Sequence, residues 1–242
     1  MKVLLIGYGK MGETIDTILS QNNEFKSVEV VGRIRTANAA DLQTYLSRAD
    51  VAIEFSTPQT VVPNLFACFE AQIPVVCGTT GWYGRFEEVK NYCLQQNASL
   101  FYATNFSIGM NIFRHINQVL AQIMNKFPDY KASMTEIHHS QKLDRPSGTA
   151  ITLAEDMIDR LDALERWEDT PETDTEHTLS IQVIRQGDEK GTHSIQYESK
   201  ADMLQWTHAA KNREGFAYGA VLAAKWLQNK KGIYTMKDML QF

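Results

Sequence analysis

The feature that most constrains the fold is a glycine-rich turn near the start of the chain. An apolar run from Val3 to Ile6 leads into Gly7-Tyr8-Gly9-Lys10-Met11-Gly12, and apolar residues at helical spacing follow. This order predicts a strand, a tight turn and a helix. In such a turn the first glycine allows the bend, the second lets the backbone approach a pyrophosphate, and the third lets helix and strand pack closely. We therefore predict that these six residues contact a dinucleotide cofactor.

Strands and helices continue to alternate over the first hundred residues. Apolar runs at 28–32, 50–55, 74–77 and 99–103 are predicted strands, and 61–71 and 85–96 are predicted helices. Repeated β-α-β units favour a parallel sheet with helices on both faces. The predicted fold class is α/β, with a Rossmann-like doubly wound parallel sheet.

The pattern changes after Asn105. Predicted helices at 110–127 and 149–164 are mixed with alternating runs at 131–138, 179–185 and 193–199. Gly187-Asp188-Glu189-Lys190-Gly191 separates the last two runs and predicts a hairpin. The acidic segment 165–176 is predicted to be a surface loop. We expect a second, α+β domain over 106–213, and we assign 1–105 together with the returning helix and tail, 214–242, to the dinucleotide-binding domain.

Charge and cysteine content narrow the class of protein. The chain has 242 residues and a formal net charge of −5. A negative net charge does not indicate the basic surface that nucleic-acid-binding proteins usually have. Three cysteines at unrelated spacings favour buried free thiols in a reducing compartment over a disulfide framework. The N-terminal apolar run is too short for a signal peptide or a membrane span. We expect a cytoplasmic protein with no nucleic-acid or membrane partner.

Two arginines, Arg33 and Arg35, follow the second predicted strand. An NAD-specific site usually has an acidic residue here for the ribose hydroxyls, whereas guanidinium groups suit the 2′-phosphate of NADPH. We predict that both arginines contact the cofactor, that NADPH is preferred and that NADH is also accepted. The alternative is that one or both are solvated surface charges.

The segment from Glu136 to Ala150 carries the densest set of reactive side chains. It contains His138, His139, Lys142, Asp144, Ser147, Gly148 and Thr149. Imidazolium and ammonium groups, with the N–H groups at a helix N-terminus, can hold a small dicarboxylate. One histidine can also donate a proton near neutral pH. Metal binding by the adjacent histidines with Glu136 and Asp144 is the competing interpretation, but adjacent histidines do not share a helix face, so we predict no metal.

This segment closely resembles the signature of the 4-hydroxy-tetrahydrodipicolinate (dihydrodipicolinate) reductase family. The resemblance extends along nearly the whole chain in the same order. It includes the cofactor loop from Gly7 to Gly12, Phe55-Ser56-Thr57-Pro58, Gly78-Thr79-Thr80-Gly81, Ala103-Thr104-Asn105-Phe106-Ser107, Gly187-Asp188-x-x-Gly191-Thr192-His193, and the segment from Thr207 to Ala220. The chain differs at Arg35, where the family often has an acidic residue, and at Thr57, where relatives often have arginine.

The resemblance implies an oxidoreductase of lysine and diaminopimelate biosynthesis. It implies reduction of the cyclic substrate by NAD(P)H, with loss of water, to tetrahydrodipicolinate. His138 would be the general acid and Lys142 a second proton donor and carboxylate partner. The implied substrate contacts are His139, Ser147, Gly148 and Thr149. The implied cofactor contacts beyond the first loop are Gly78, Thr79, Thr80, Ala103, Thr104, Asn105 and Phe106. The resemblance also implies a homotetramer assembled through the second domain.

Two other functions remain compatible with the sequence. A reductase of the same architecture could act on aspartate-derived aldehydes or acids, although the chain offers no catalytic cysteine for the aldehyde dehydrogenase type of chemistry. A non-catalytic dinucleotide-binding sensor would bind nucleotide without turnover, because fold alone does not fix function. The sensor leaves the cluster from His138 to Thr149 without a task.

Overall fold

The computed structural model describes residues 1–35, 39–169 and 176–242, with the backbone alone for 39–41. The chain divides into two compact units, one formed by Met1–Ile108 with Glu214–Phe242 and the other by Gly109–Arg213. The first boundary therefore falls after Ile108, whereas the sequence pattern placed it after Asn105.

Strands and helices are numbered in chain order. The strands are β1 (Lys2–Ile6), β2 (Glu29–Ile34), β3 (Val51–Glu54), β4 (Val75–Cys77), β5 (Ser99–Tyr102), β6 (Lys131–His138), β7 (Arg166–Glu168), β8 (Thr178–Arg185), β9 (Thr192–Glu198), β10 (Met203–Ala209) and β11 (Gly232–Tyr234). The helices are α1 (Lys10–Gln21), α2 (Ala39–Leu46), α3 (Val61–Glu70), α4 (Phe86–Gln95), α5 (Ile108–Met124), α6 (Gly148–Ile158), α7 (Glu214–Leu227) and α8 (Met236–Leu240).

The first unit contains a six-stranded sheet in the order β11-β5-β4-β3-β1-β2, and every pair is parallel. Strands of such a sheet are buried on both faces and therefore consist of continuous apolar residues. In β1, Leu4 and Ile6 join one hydrophobic cluster while Val3 and Leu5 join the other. The predicted doubly wound parallel sheet is confirmed.

Small residues allow α7 to approach this sheet closely. Its buried positions are Ala217, Gly219, Ala220, Val221, Ala223, Ala224 and Leu227. A Cβ at Gly219 would lie 1.9 Å from the backbone oxygen of Phe106, so only glycine fits there. The three-residue strand β11 follows α7, and it was not predicted because so short a run has no detectable period.

The second unit contains a mixed sheet in the order β10-β9-β6-β8-β7. The predicted α+β character is confirmed, but the predicted hairpin between 179–185 and 193–199 is wrong. Strand β6 lies between β8 and β9, parallel to β8 and antiparallel to β9. The actual hairpin joins β9 to β10. Glycines between two alternating runs mark a turn but do not determine which strands pair, because pairing depends on distant segments.

One face of this sheet packs on a hydrophobic core. Met134, Ile181, Ile195 and Tyr197 alternate along their strands and pack with residues of α5 and α6. Edge strand β7 falls within the segment 165–176 that was predicted to be a loop, so the prediction is wrong for 166–168. Positions 170–175 of that segment lie outside the described residues. Within the described ranges, no helix is long and apolar enough to cross a membrane.

Candidate functional sites

The glycine turn lies between β1 and α1, at the carboxyl end of the parallel sheet. Gly7 has φ +88, and a Cβ there would lie 2.1 Å from the backbone oxygen of Phe55. A Cβ at Gly12 would lie 2.4 Å from the oxygen of Gly7. These two glycines are therefore required by the close approach of the turn to β3 and α1.

Gly9 has a different role from its two neighbours. It is the N-cap of α1, its cap makes no side-chain hydrogen bond, and a Cβ placed on it would meet nothing within 4 Å. The first N–H groups of a helix have no partners inside the helix and favour an anion. The open space over Gly9 therefore fits the pyrophosphate of a dinucleotide.

The two arginines of the predicted cofactor site are both paired. Arg33 lies within β2 and donates to both carboxylate oxygens of Asp16, at 2.6 and 2.7 Å, and the Tyr8 hydroxyl donates to the same carboxylate at 2.6 Å. The hydrogen bond from Arg33 is the main cause that lowers the pKa of Asp16. Arg35 follows β2 and lies 2.9 Å from Glu13, and its side chain is 72% exposed. Arg33 is held in place, whereas Arg35 forms a surface ion pair.

A buried carboxyl group that was not selected from the sequence lies at the end of β3. The Thr79 hydroxyl donates to one oxygen of Glu54 at 2.6 Å, and Asn64 donates to the other at 3.2 Å. The hydroxyl of Ser56 also donates to Glu54. Burial raises the pKa of Glu54, in opposition to these hydrogen bonds. Glu54 thus connects the turn after β3 to the loop after β4, and its only sequence signal is a charged residue ending an apolar strand.

The loop after β4 contains the predicted contacts Gly78, Thr79 and Thr80. A Cβ at Gly78 would lie 2.1 Å from the ring of Phe55, so this loop also depends on glycine. The side chain of Thr79 faces inward to Glu54, and the Thr79 carbonyl accepts from the Trp82 indole at 2.8 Å. Thr80 is exposed. Among these positions, Thr80 and the backbone remain open to a ligand.

The predicted contacts after β5 also include both buried and exposed side chains. Ala103 and Asn105 are half-buried and Thr104 is exposed. The Asn105 side chain accepts from the Ser107 N–H at 2.9 Å. Phe106 is buried, with its ring 5.7 Å from that of Phe55. The Phe106 side chain is therefore part of the core, and only the three residues before it present side chains at the surface.

The second unit brings together a cluster of buried polar side chains. Glu136 and His138 lie on the buried face of β6, and the sheet register pairs Glu136 with His193 of β9. One carboxylate oxygen of Glu136 lies 3.4 Å from Nδ1 of His138 and 3.9 Å from Nε2 of His193. The other lies 2.8 Å from Nη2 of Arg185. The predicted acid His138 therefore lies inside a network of which only His138 and Ser147 were selected from the sequence.

Ser147 joins this network to α6. Its N–H donates to both oxygens of Glu136, at 3.1 and 3.2 Å. Its hydroxyl lies 3.3 Å from Nε2 of His193 and, as the N-cap of α6, accepts from the Ala150 N–H. Ser147 is buried, so the structure uses its polar groups inside the protein.

The charges in this cluster have large effects on pKa. Burial alone raises the pKa of Glu136, but the adjacent His138 imidazole and hydrogen bonds from Ser147 and Arg185 outweigh burial and lower that pKa to about 2. Burial, followed by the proximity of the His138 ring, lowers the pKa of His193 to about 4. At neutral pH the cluster therefore contains a carboxylate, a guanidinium and a neutral His193.

The other predicted substrate contacts lie on the loop and at the helix that follow β6. Lys142 lies 2.7 Å from Asp144, and His139 is half-buried. Gly148 begins α6, is exposed, and has nothing within 4 Å of an added Cβ. With Thr149 it supplies the first N–H groups of the helix, a position that favours a carboxylate.

The donor set of this cluster also resembles a metal site. The ligand atoms of Glu136, His138 and His193 all lie within 4.8 Å of one another, the one such group in the described part of the chain. The metal site considered from the sequence was the adjacent pair His138 and His139 with Glu136 and Asp144. It shares Glu136 and His138 with this group but does not include His193. Ser147 already donates to both oxygens of Glu136, and Arg185 donates to one of them. The positive charge of Arg185 would repel a metal cation at this position.

Comparisons with known proteins match both units. The family described as dihydrodipicolinate reductase, N-terminus, matches residues 1–106, and dihydrodipicolinate reductase, C-terminus, matches 109–240. The 4-hydroxy-tetrahydrodipicolinate reductase of Christiangramia forsetii is 43% identical over 241 residues, covering 99% of this chain and 98% of the relative. That of Neisseria meningitidis serogroup A is 30% identical over 267 residues, covering 99% and 97%.

A solved structure shares the fold of the whole chain. The dipicolinate-bound dihydrodipicolinate reductase from Paenisporosarcina sp. TG-14 superposes with a TM-score of 0.79 and 19% sequence identity, and covers 99% of each chain. At that identity the superposition supports the architecture alone, and the sequence matches support the family.

Proposed function

The chain belongs to the dihydrodipicolinate reductase family, and on that premise we propose that it is a 4-hydroxy-tetrahydrodipicolinate reductase. It reduces its cyclic dicarboxylate substrate with NAD(P)H, with loss of water, to tetrahydrodipicolinate, in diaminopimelate and lysine biosynthesis. The observation that carries the proposal is the buried acid–base cluster around His138 beside the N-terminus of α6, in a chain 43% identical to a curated reductase over its whole length.

His138 is the proton donor of this proposal. A nicotinamide cofactor would supply the hydride when bound, and the reduced ring would then need a proton. A positioned acid within hydrogen-bond reach lowers the barrier by an amount that corresponds to about 10² to 10⁴ in rate. Lys142 adds a second cation and proton donor. Its partner Asp144 is exposed, so their ion pair is weak enough for Lys142 to turn to a substrate carboxylate.

The substrate carboxylates are held by His139, Gly148 and Thr149. Gly148 and Thr149 offer the first N–H groups of α6, and the helix dipole favours an anion there. Ser147 supports this end of the helix through its cap and its hydrogen bonds to Glu136. These groups would recognise a small dianion.

The cofactor lies, in this proposal, over the turn from Gly7 to Gly12, with the loops at 78–80 and 103–106 on its nicotinamide side. NADPH is preferred and NADH is also accepted. Arg35 is the residue available to a 2′-phosphate, because an exposed ion pair such as that with Glu13 is worth only about 0–1 kcal/mol and is readily exchanged. Arg33 supports the site by holding Asp16 and, through it, Tyr8.

The protein is proposed to act as a cytoplasmic homotetramer assembled through the second unit. The sheet face opposite its core carries cross-strand neighbours with uncharged polar side chains, namely Ser133, Thr135, Ser180, Gln182, Ser194, Gln196, Gln205 and Thr207. Several bond to one another, as Ser194 does to Thr207 at 2.9 Å. Such a face suits contact with further copies, and sedimentation should give four times the mass of the chain.

The deciding experiment follows NADPH and NADH oxidation with substrate generated in situ from pyruvate and aspartate semialdehyde. Wild type should turn over with either cofactor, and His138→Ala should lose at least about 100-fold in kcat with nucleotide affinity retained. A wild type that binds nucleotide but never turns over would rule out the proposal and favour the non-catalytic sensor, which no present observation supports.

A further inference from the structure

Glu136 is a carboxylate that no substrate reaches. Its side chain is completely buried, and both of its oxygens receive the N–H of Ser147, at 3.1 and 3.2 Å. Nη2 of Arg185 donates to Oε1 at 2.8 Å and also to the Asp144 carbonyl at 2.8 Å. Burying a carboxylate is costly unless several donors surround it. The number of donors around Glu136 indicates a structure that keeps this group ionised in one position.

The position of Glu136 matters because of what lies two residues further along β6. Residues i and i+2 of a strand share a face, and Oε2 of Glu136 lies 3.4 Å from Nδ1 of His138. That Nδ1 is buried and makes no hydrogen bond among the described residues, so its 3.4 Å approach to the carboxylate is an ion-pair contact that a small ring movement would convert into a hydrogen bond. The buried carboxylate is therefore the group that can fix the orientation and tautomer of this imidazole.

The opposite end of the His138 ring lies beside a glycine. Gly191 has φ +137, and a Cβ added there would lie 3.0 Å from Nε2 of His138. The two ring nitrogens therefore have different surroundings, with an anion beside Nδ1 and backbone without a side chain beside Nε2. A side chain at position 191 would crowd the Nε2 end, and glycine there avoids that contact.

The remaining groups around His138 do not compete for its proton. His193 of β9 meets it edge to face, with ring centroids 5.2 Å apart, and its pKa of about 4 keeps it neutral at neutral pH. Arg185 of β8 stays charged, and Lys142 is the cation on the following loop. Glu136 is therefore the only anion among these four groups.

We propose that Glu136 is a positioning residue for His138, whose carboxylate accepts the Nδ1–H and so leaves Nε2 as the nitrogen that carries the transferable proton. This inference rests on the proposed function, in which His138 is the acid. Arg185 and Ser147 hold the carboxylate in place. Glu136 itself does not touch the substrate.

The test combines NMR with kinetics on the intact enzyme. ¹⁵N-histidine labelling, with the His138→Ala spectrum to assign one of the six histidines, reports the tautomer of His138 without substrate. In wild type the neutral ring should carry its proton on Nδ1. In Glu136→Gln the amide N–H faces Nδ1, so the neutral ring should carry its proton on Nε2 instead. The kcat should fall about 100-fold or more, with KM changed little.

A conservative variant separates positioning from structure. Glu136→Asp keeps the carboxylate, so it should retain the Nδ1–H tautomer and much of the kcat that Glu136→Gln loses. The Tm values of the two variants should be similar. A purely structural Glu136 would lower Tm in both variants and leave the tautomer unchanged, and that result overturns the inference.

The NMR measurement on wild type does not depend on turnover or on any variant folding. An Nε2–H tautomer in wild type overturns the positioning role even if the enzyme is fully active. A wild type without turnover but with the Nδ1–H tautomer overturns only the proposed function.

Discussion

The hydroxyl of Thr79 donates a 2.6 Å hydrogen bond to the carboxyl group of Glu54, which is completely buried at the end of β3. Through this bond the loop after one parallel strand is attached to the end of the neighbouring strand. The loops after β3 and β4 both lie at the carboxyl edge of the sheet, where ligands of doubly wound folds bind.

Removing the Glu54 carboxyl should therefore damage stability and nucleotide binding together. Glu54→Ala leaves the polar groups of Thr79 and Asn64 without their acceptor, so the free energy of unfolding should fall by at least about 2 kcal/mol. Glu54→Gln keeps an acceptor and should cost less. Urea unfolding and NADPH titration measure both effects, and an unaltered nucleotide Kd in a folded Glu54→Ala would separate this cluster from the cofactor site.

The same carboxyl should make stability depend on pH. Its pKa is raised in the folded state from the ordinary value of 4.5, so folding favours the protonated form. Its contribution is then complete below pH 4.5 and is lost as pH rises through the raised pKa. Wild type should therefore lose stability relative to Glu54→Gln as pH rises above 4.5, and a constant difference across pH would contradict the raised pKa.

The glycines of the first loop should separate folding from binding. Gly9→Ala adds a methyl group to open space, so Tm should stay within about 2 °C of wild type while the NADPH Kd rises at least about tenfold, because the methyl group enters the space proposed for the pyrophosphate. Gly7→Ala is the matched comparison, since its Cβ would lie 2.1 Å from the Phe55 oxygen. It should lose more than about 2 kcal/mol of stability. Equal Kd values for wild type and Gly9→Ala would remove this loop from the cofactor site.

The two arginines should behave differently on substitution. Arg35→Ala should lower kcat/KM with NADPH about tenfold, equivalent to about 1.4 kcal/mol, and leave that with NADH unchanged, because only NADPH carries the 2′-phosphate. Arg33→Ala should reduce both values and Tm, because Arg33 holds Asp16 bidentately. If Arg35→Ala keeps the wild-type ratio of the two kcat/KM values, Arg35 does not contact the 2′-phosphate.

Protonation of His193 should destabilise the second unit in acid. Its pKa is about 4 in the folded state against an ordinary 6.5. Stability from the neutral ring is therefore present above pH 6.5 and lost as pH falls through 4, on the order of 3 kcal/mol in total. His193→Gln should lack this loss between those two pH values. The exposed His177→Gln serves as control and should follow wild type throughout.

The sequence by itself determined β1 to β5 and α1, α3, α4 and α7 of the first unit, although α2, α8 and β11 were not predicted. It also indicated the polar loop from His138 to Thr149 as a candidate site. Short continuous apolar runs ending in glycine, as from Val3 to Gly7, are typical of buried parallel strands. The tight turn at Gly7 follows from chain-local rules as well, whereas its close approach to Phe55 does not. The reactive loop was recognisable because its polar residues are adjacent in the chain.

Only the tertiary structure decided which strands of the second unit pair and what surrounds His138. The insertion of β6 between β8 and β9 depends on contacts between segments about fifty residues apart, which local turn chemistry does not encode. That pairing brings His193 opposite Glu136 and places Arg185 beside it. Glu136 and Glu54 are single charged residues in apolar surroundings along the chain. Their roles arise from the donors that folding brings to them, because a buried charge takes its energy from neighbours in space.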